Sequence, residues 1–215
     1  MMSGLYPAID MMVGERERGT VETTMVTGVS RWTLAIGRIL ATMTFEGVGL
    51  VGNLVGIALT ASSLSVTMAG SVREVWLPPA SLVLALPALV ATALCVTGVL
   101  MVVLVPARTF KEGEWLGSIV LLGAIGPLVA AIPALVSDEG PGAVLLLPMA
   151  NTTVVLARAL EGTLTPAVGV LPVLVNGGIG LMALATAGRI TASEGWLFDG
   201  RLPAWLDWVR RWMPT

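Results

Sequence analysis

Few side chains in this sequence could do chemistry. No histidine occurs, which removes Ser–His–Asp, Cys–His and HExxH arrangements together. Cys95 is the only cysteine; it lies in an apolar run, where it reads as a small hydrophobe, and it leaves no internal disulfide or cysteine-based metal site. Lys111 is the only lysine, and no GxxxxGK[ST] loop leads into it, so the chain carries no P-loop for nucleotide phosphates. The expectation is no catalytic residue, no metal set and no cofactor; if ATP drives this chain, another chain holds the ATP. What remains is polarity inside apolar runs. Glu46 and Asn53 share a helix face two turns apart. An ionisable group at membrane depth costs a few kcal/mol unless it meets water or a partner. The pair is therefore a candidate pathway offering the oxygen donors a sodium ion would use, although Glu46 nearer the interface would fit the same residues.

The elements that would hold such groups are apolar. The 215 residues are 55% hydrophobic with a mean hydropathy of +0.88, and only 12% are charged, against about 25% in soluble domains. Lipid is the natural solvent for that surface. The net charge of −2 comes without a basic block, so nucleic acid is not an expected partner.

Four apolar stretches, about residues 34–64, 80–105, 115–136 and 166–188, are each long enough for a helix to cross a bilayer core. None alternates as a barrel strand would. The stretch 143–165 differs: apolar at first, it meets Pro148, Asn151, Thr152, Arg158 and Glu161. A short helix, a break and a second short helix fit it better than a crossing. All basic residues except Arg73 and Arg158 then fall on one side, the cytoplasmic side by the positive-inside rule. Pro203 opens a last segment with Trp205, Trp208 and Trp212 on one face and Arg210 and Arg211 on the other. That spacing fits an interfacial helix and equally one packed on the bundle ends. The expected fold is all-α: a polytopic membrane helix bundle of four full spans, with a re-entrant outer hairpin (143–165) and cytoplasmic amphipathic helices. Residues 1–33 form a cytoplasmic coupling segment (1–13 the end of a preceding span), 34–188 the transmembrane domain, and 189–215 a cytoplasmic tail.

Glu15, Arg16, Glu17, Arg18, Gly19, Thr20 and Glu22 form the densest charged run. Glu15–Arg18 and Arg18–Glu22 have i,i+3 and i,i+4 spacing, so the charges can zip along a helix; a solvated face has the same pattern. Gly28 can end that helix and Ser30 can cap the next. The string GERERGTVETTMVTGVSRWTLAIGRILA resembles the GE(K/R)ERGTLE…PVSR…GK segment of ABC type-2 transporter permeases of the NatB-like, sodium-extrusion branch. The loop around Arg108, Lys111 and Glu112 is similar to that branch's ARSFKEA, and Pro148–Asn151 to its P-x-x-N turn. The resemblance covers about residues 6–190. It implies that residues 15–22 are a coupling helix docking on a separate ATP-binding subunit, that a second permease copy completes the exporter, and that the cargo is sodium. It implies a multi-pass protein of the cell membrane with both termini cytoplasmic. The family also has a first helix and an external domain ahead of this segment. Their lack here makes a truncated or accessory membrane scaffold without transport activity the alternative, and an intramembrane enzyme is disfavoured by the missing histidines.

Overall fold

The structure, a computed structural model, describes residues 3–67, 79–136, 142–197 and Leu206. Arg73 and nearly all of the Trp-rich tail lie outside these. Every regular element among the described residues is helical. Helix α1 (Leu5–Ile9) passes through a π-helical turn (Asp10–Gly14) into α2 (Glu15–Glu17), and a short α3 (Val21–Val26) follows. Four long helices come next: α4 (Arg31–Thr67), α5 (Pro79–Leu104), α6 (Phe110–Ala130) and, after an irregular excursion, α9 (Pro166–Thr191). These four are long and apolar enough to cross a membrane. The excursion comprises α7 (Ile132–Val136), a 3₁₀ turn (Gly142–Leu146) and α8 (Ala150–Leu160). The short α10 (Glu194–Leu197) follows α9.

Local chemistry accounts for several boundaries. Gly19 (φ 66°) ends α2 in a Schellman motif, with Thr20 N–H donating to Glu15 O and Gly19 N–H to Arg16 O. Gly28 (φ 75°) follows α3, and Ser30 caps α4 by accepting from Thr33 N–H at 3.1 Å. The third apolar run does not continue as one helix to residue 136. It breaks at Ala131, because the Pro133 ring cannot share space with the carbonyl of Val129 and offers no N–H to it.

Helix α5 is the centre: half of its span window is buried, against 22–28% for the other three. It runs parallel to α9, because Thr92 meets Asn176, Gly98 meets Gly180 and Val105 meets Trp196 in the same order. The approach is backbone to backbone. A Cβ on Gly180 would lie 2.8 Å from Cys95 N, and one on Gly98 would lie 2.7 Å from Gly180 O. Such contact between small residues is how helices associate where lipid offers no hydrophobic drive. Gly178, beside them in sequence, faces open space.

The N-terminal helix is a core element. Leu5, Ala8, Ile9, Met12 and Val13 are buried at amphipathic spacing against Leu100, Met101, Leu104, Val105 and Trp196. Gly113 and Gly117 of α6 make room for Ile9 and Leu5, and Gly49 of α4 for Ser3. Outward, Leu40, Val48, Leu59, Leu122, Leu174, Leu181 and Met182 are exposed, an apolar surface suited to lipid tails.

Gly180→Ala places a methyl against α5 backbone and should cost on the order of 1–3 kcal/mol, read as a lower unfolding midpoint in detergent. Gly178→Ala should leave the midpoint unchanged. Equal midpoints for both would mean that α5 and α9 are not in backbone contact.

Candidate functional site

Two polar assemblies are built into this apolar body. The first lies halfway along the bundle. Thr92 is near the middle of α5 and Asn176 near the middle of α9, roughly 18–20 Å from the ends of α5 at 1.5 Å per residue. Asn151 and Thr152, in the first turn of α8, reach them. The Asn151 and Asn176 amides pair reciprocally, Nδ2 to Oδ1 at 3.1 Å in one direction and 3.0 Å in the other. Asn176 Nδ2 also donates to Thr92 Oγ1 at 2.8 Å and lies 3.2 Å from Thr152 Oγ1. The two hydroxyls are 2.5 Å apart, and Thr92 Oγ1 lies 2.7 Å from Ala88 O, within donating distance. All four residues are buried.

The turn before α8 delivers Asn151 to this depth. Met149 has φ 69° and ψ −45°, and Ala150 N–H donates to Pro148 O at 2.9 Å. This is a γ-turn with positive φ, a strained conformation for a side-chain-bearing residue. It reverses the chain within three residues. The irregular backbone is then satisfied from within: Asn151 Nδ2 lies 3.3 Å from Leu145 O, and Asn151 N–H donates to Leu147 O. Broken backbone away from water requires partners of this kind. Local sequence marks Pro148 and Asn151 as a turn. It assigns Thr92 no role and presents Asn176 as packing, because residues far apart in the chain carry no mark of meeting.

The second assembly lies at the end of the bundle where α2, the start of α4, the α5–α6 turn and α10 converge. Glu15 Oε2 accepts from Arg38 Nη2 at 2.6 Å. Arg16 Nη1 donates to Ala107 O at 3.2 Å, and its guanidinium lies 4.5 Å from the Trp196 ring centroid. Arg38 approaches the same ring at 5.7 Å. Trp196 is fully buried and donates its indole N–H to Val105 O at 2.9 Å. Glu17 Oε2 accepts from Phe110 N–H at 2.9 Å, at the N-terminus of α6. Glu112 accepts from Arg108 N–H, while Thr109 accepts from Glu112 N–H. The loop singled out for Arg108, Lys111 and Glu112 is thus a capping motif for α6, its carboxylates placed where the helix dipole favours them. Lys111 is exposed beside it.

The expected i,i+3 pair between Glu15 and Arg18 is not formed, and the side chain of Glu22, the i,i+4 partner expected for Arg18, lies outside the described residues. Arg18 pairs with Asp10 at 2.5 Å and Glu15 with Arg38, because the helix stops at Glu17 and restarts at Val21. Gly19 serves as the stop and Thr20 donates its hydroxyl to Glu15 O; Glu22 belongs to α3. Glu17, Arg18, Gly19 and Thr20 are exposed, and Val26 further on is exposed at 87%. Glu46 and Asn53 share a face but not an environment. Glu46 is buried and accepts from Ser3 Oγ at 3.1 Å, whereas Asn53 is exposed and donates to Gly49 O of its own helix. Among the described residues, no group of three acidic or cysteine side chains could hold a metal ion.

Because every member of the central cluster depends on the others, Asn151→Leu and Asn176→Leu should each destabilise by about 1–3 kcal/mol. The double variant should cost less than the sum by about 0.6–1.7 kcal/mol. A double-mutant cycle of unfolding in detergent reads this, and strict additivity would show that the two amides do not interact. Compared with known proteins, the chain is matched by no protein-family model, no curated protein and no solved structure.

Proposed function

We propose that the chain is the membrane-spanning permease subunit of an ATP-driven exporter, powered by a separate ATP-binding subunit and completed by a second permease copy. One observation carries the reading. A single short segment, Glu15–Arg18, is tied to every long helix at one end of the bundle: through Arg38 to α4, through Ala107 to the α5–α6 turn, through Phe110 to α6, and through Trp196 to the residues after α9. A force applied there reaches all four, which a transmission element between a motor and a membrane domain requires. The resemblance of residues 14–39 to the coupling segment of ABC type-2 permeases agrees with this placement.

In this reading the end carrying Arg16, Arg18, Arg31, Arg38, Arg108, Lys111 and Arg189 is cytoplasmic, in the cell membrane. Helix α8 is the inner arm of a re-entrant outer hairpin, which the parallel course of α5 and α9 supports. The ATPase docks on α3 and the loop around it. Glu15, Arg16 and Glu17 contact the bundle and act within the permease, while Arg18 is exposed and pairs with Asp10. Sodium, the cargo implied by the resemblance, has in Glu46 a buried carboxylate within a span. The second reading, an accessory membrane scaffold without transport, is favoured by the closure of the Asn151–Asn176 cluster on itself.

Purification of the tagged chain from detergent-solubilised membranes separates the two. Wild type should bring down a P-loop ATPase. Val26→Asp should reduce its recovery about tenfold, the loss of roughly 1.4 kcal/mol of contact, with unchanged yield of permease. No ATPase with wild type would leave the scaffold reading. In the complete complex, Glu46→Gln should lower ATP-driven sodium efflux about tenfold or more; unchanged efflux would remove Glu46 from the path.

A further inference from the structure

We propose that Arg38 and Glu15 form a two-position clamp between the charged segment and α4, and that the structure holds its half-made position. Arg38 is 4% exposed, and only Nη2 is paired, with Glu15 Oε2 at 2.6 Å. Its Nε and Nη1 are buried and meet no acceptor. Leaving donors of a charged group buried and idle is costly. Arginine and carboxylate favour a parallel two-bond fork over a single contact. The acceptor best placed to fill the fork is the second oxygen of the same Glu15 carboxylate.

The two sides of the pair differ in freedom. Arg38 lies beside the indole of Trp196, which is itself fully buried and pinned to Val105 O. Glu15 keeps 30% of its side-chain exposure and sits between two joints. Ahead of it is the π-helical turn Asp10–Gly14, which accommodates one extra residue and is a recurrent feature of functional helices. Behind it is Gly19 in the left-handed region. Moving the π turn by one residue rotates α2 by about 100° and shifts it by about 1.5 Å, enough to re-aim a carboxylate. The Arg18–Asp10 pair spans the π turn and stitches it in its present register. Gly14 lacks the Cβ that would lie 2.6 Å from Asp10 Oδ1. The clamp therefore has a fixed jaw, a movable jaw, a hinge and a catch. It goes beyond the permease reading and stands on this ion pair alone.

The test uses the full chain in lipid nanodiscs without any ATPase, so its failure would leave the ATPase recovery experiment untouched. With Cys95→Ser removing the native thiol, spin labels on Val26→Cys and Lys111→Cys, both exposed, report the position of α3 against α6. The clamp gives two distance populations. Arg38→Lys keeps the charge and one contact but has no fork, and should move the ratio about tenfold or more toward the half-made state. Glu15→Gln should move it the same way, and Arg18→Ala, which frees the π turn, the opposite way. Unfolding midpoints confirm that each variant is folded, and an unfolded Arg38→Lys leaves the decision to the other two. One distance in the parent, or a ratio unmoved by the folded variants, overturns the clamp.

Discussion

The backbone contact between α5 and α9 is the constraint on which the rest of the molecule depends. Gly98 and Gly180 bring the two helices close enough that carbonyl and amide groups occupy the space of a side chain. One turn from that contact, Thr92 and Asn176 are forced to face each other inside the seam. At the far end the same parallel course sets Trp196 against Val105. Both polar assemblies are thus consequences of one glycine-based seam. A wider seam would strand an amide in an apolar interior and withdraw the indole from the arginines.

Polar groups fix where the start of α8 sits against α5 and α9. An apolar segment could slide on α5 with little change in free energy, since lipid tails and leucine side chains are alike to it. Asn151 cannot slide. Its amide has one partner on α9 and one in its own 3₁₀ turn, and displacement leaves several buried groups unpaired at once. The positive φ of Met149 is held against its local preference by these bonds. A network that tolerates backbone strain specifies position more than it adds stability.

Whether a feature is legible in the sequence depends on how far apart its determinants lie. The four long helices are readable because hydropathy over twenty residues is a property of the segment itself. Gly28, Ser30 and the break around Pro148 are readable because caps and turns are local chemistry. Arg38 looks like one more basic residue before a span, and its burial depends on Glu15 and Trp196, distant in the chain. Asn176 among glycines reads as a packing face; its partner is 25 residues earlier on a helix that the apolar pattern barely marks. Arg18 turns back to Asp10 where i,i+3 spacing would pair it with Glu15, and the helix ends at Gly19, since a glycine after a charged turn is itself a stop signal.

The charged segment shows how a charge-dense run can be used within its own chain. A run of Glu and Arg at the edge of a membrane domain is naturally assigned to the surface, where a partner would bind it. Here Glu15 and Arg16, both half-buried, meet a guanidinium and a carbonyl, and Glu17, exposed, accepts from the N-terminus of α6. Such contacts are worth little when solvated and more where water is scarce. The contacts of Arg16 and Arg38 therefore gain from the cover given by Trp196, which is fully buried. A run dense in charge can therefore be taken up by contacts within its own chain instead of standing free on the surface.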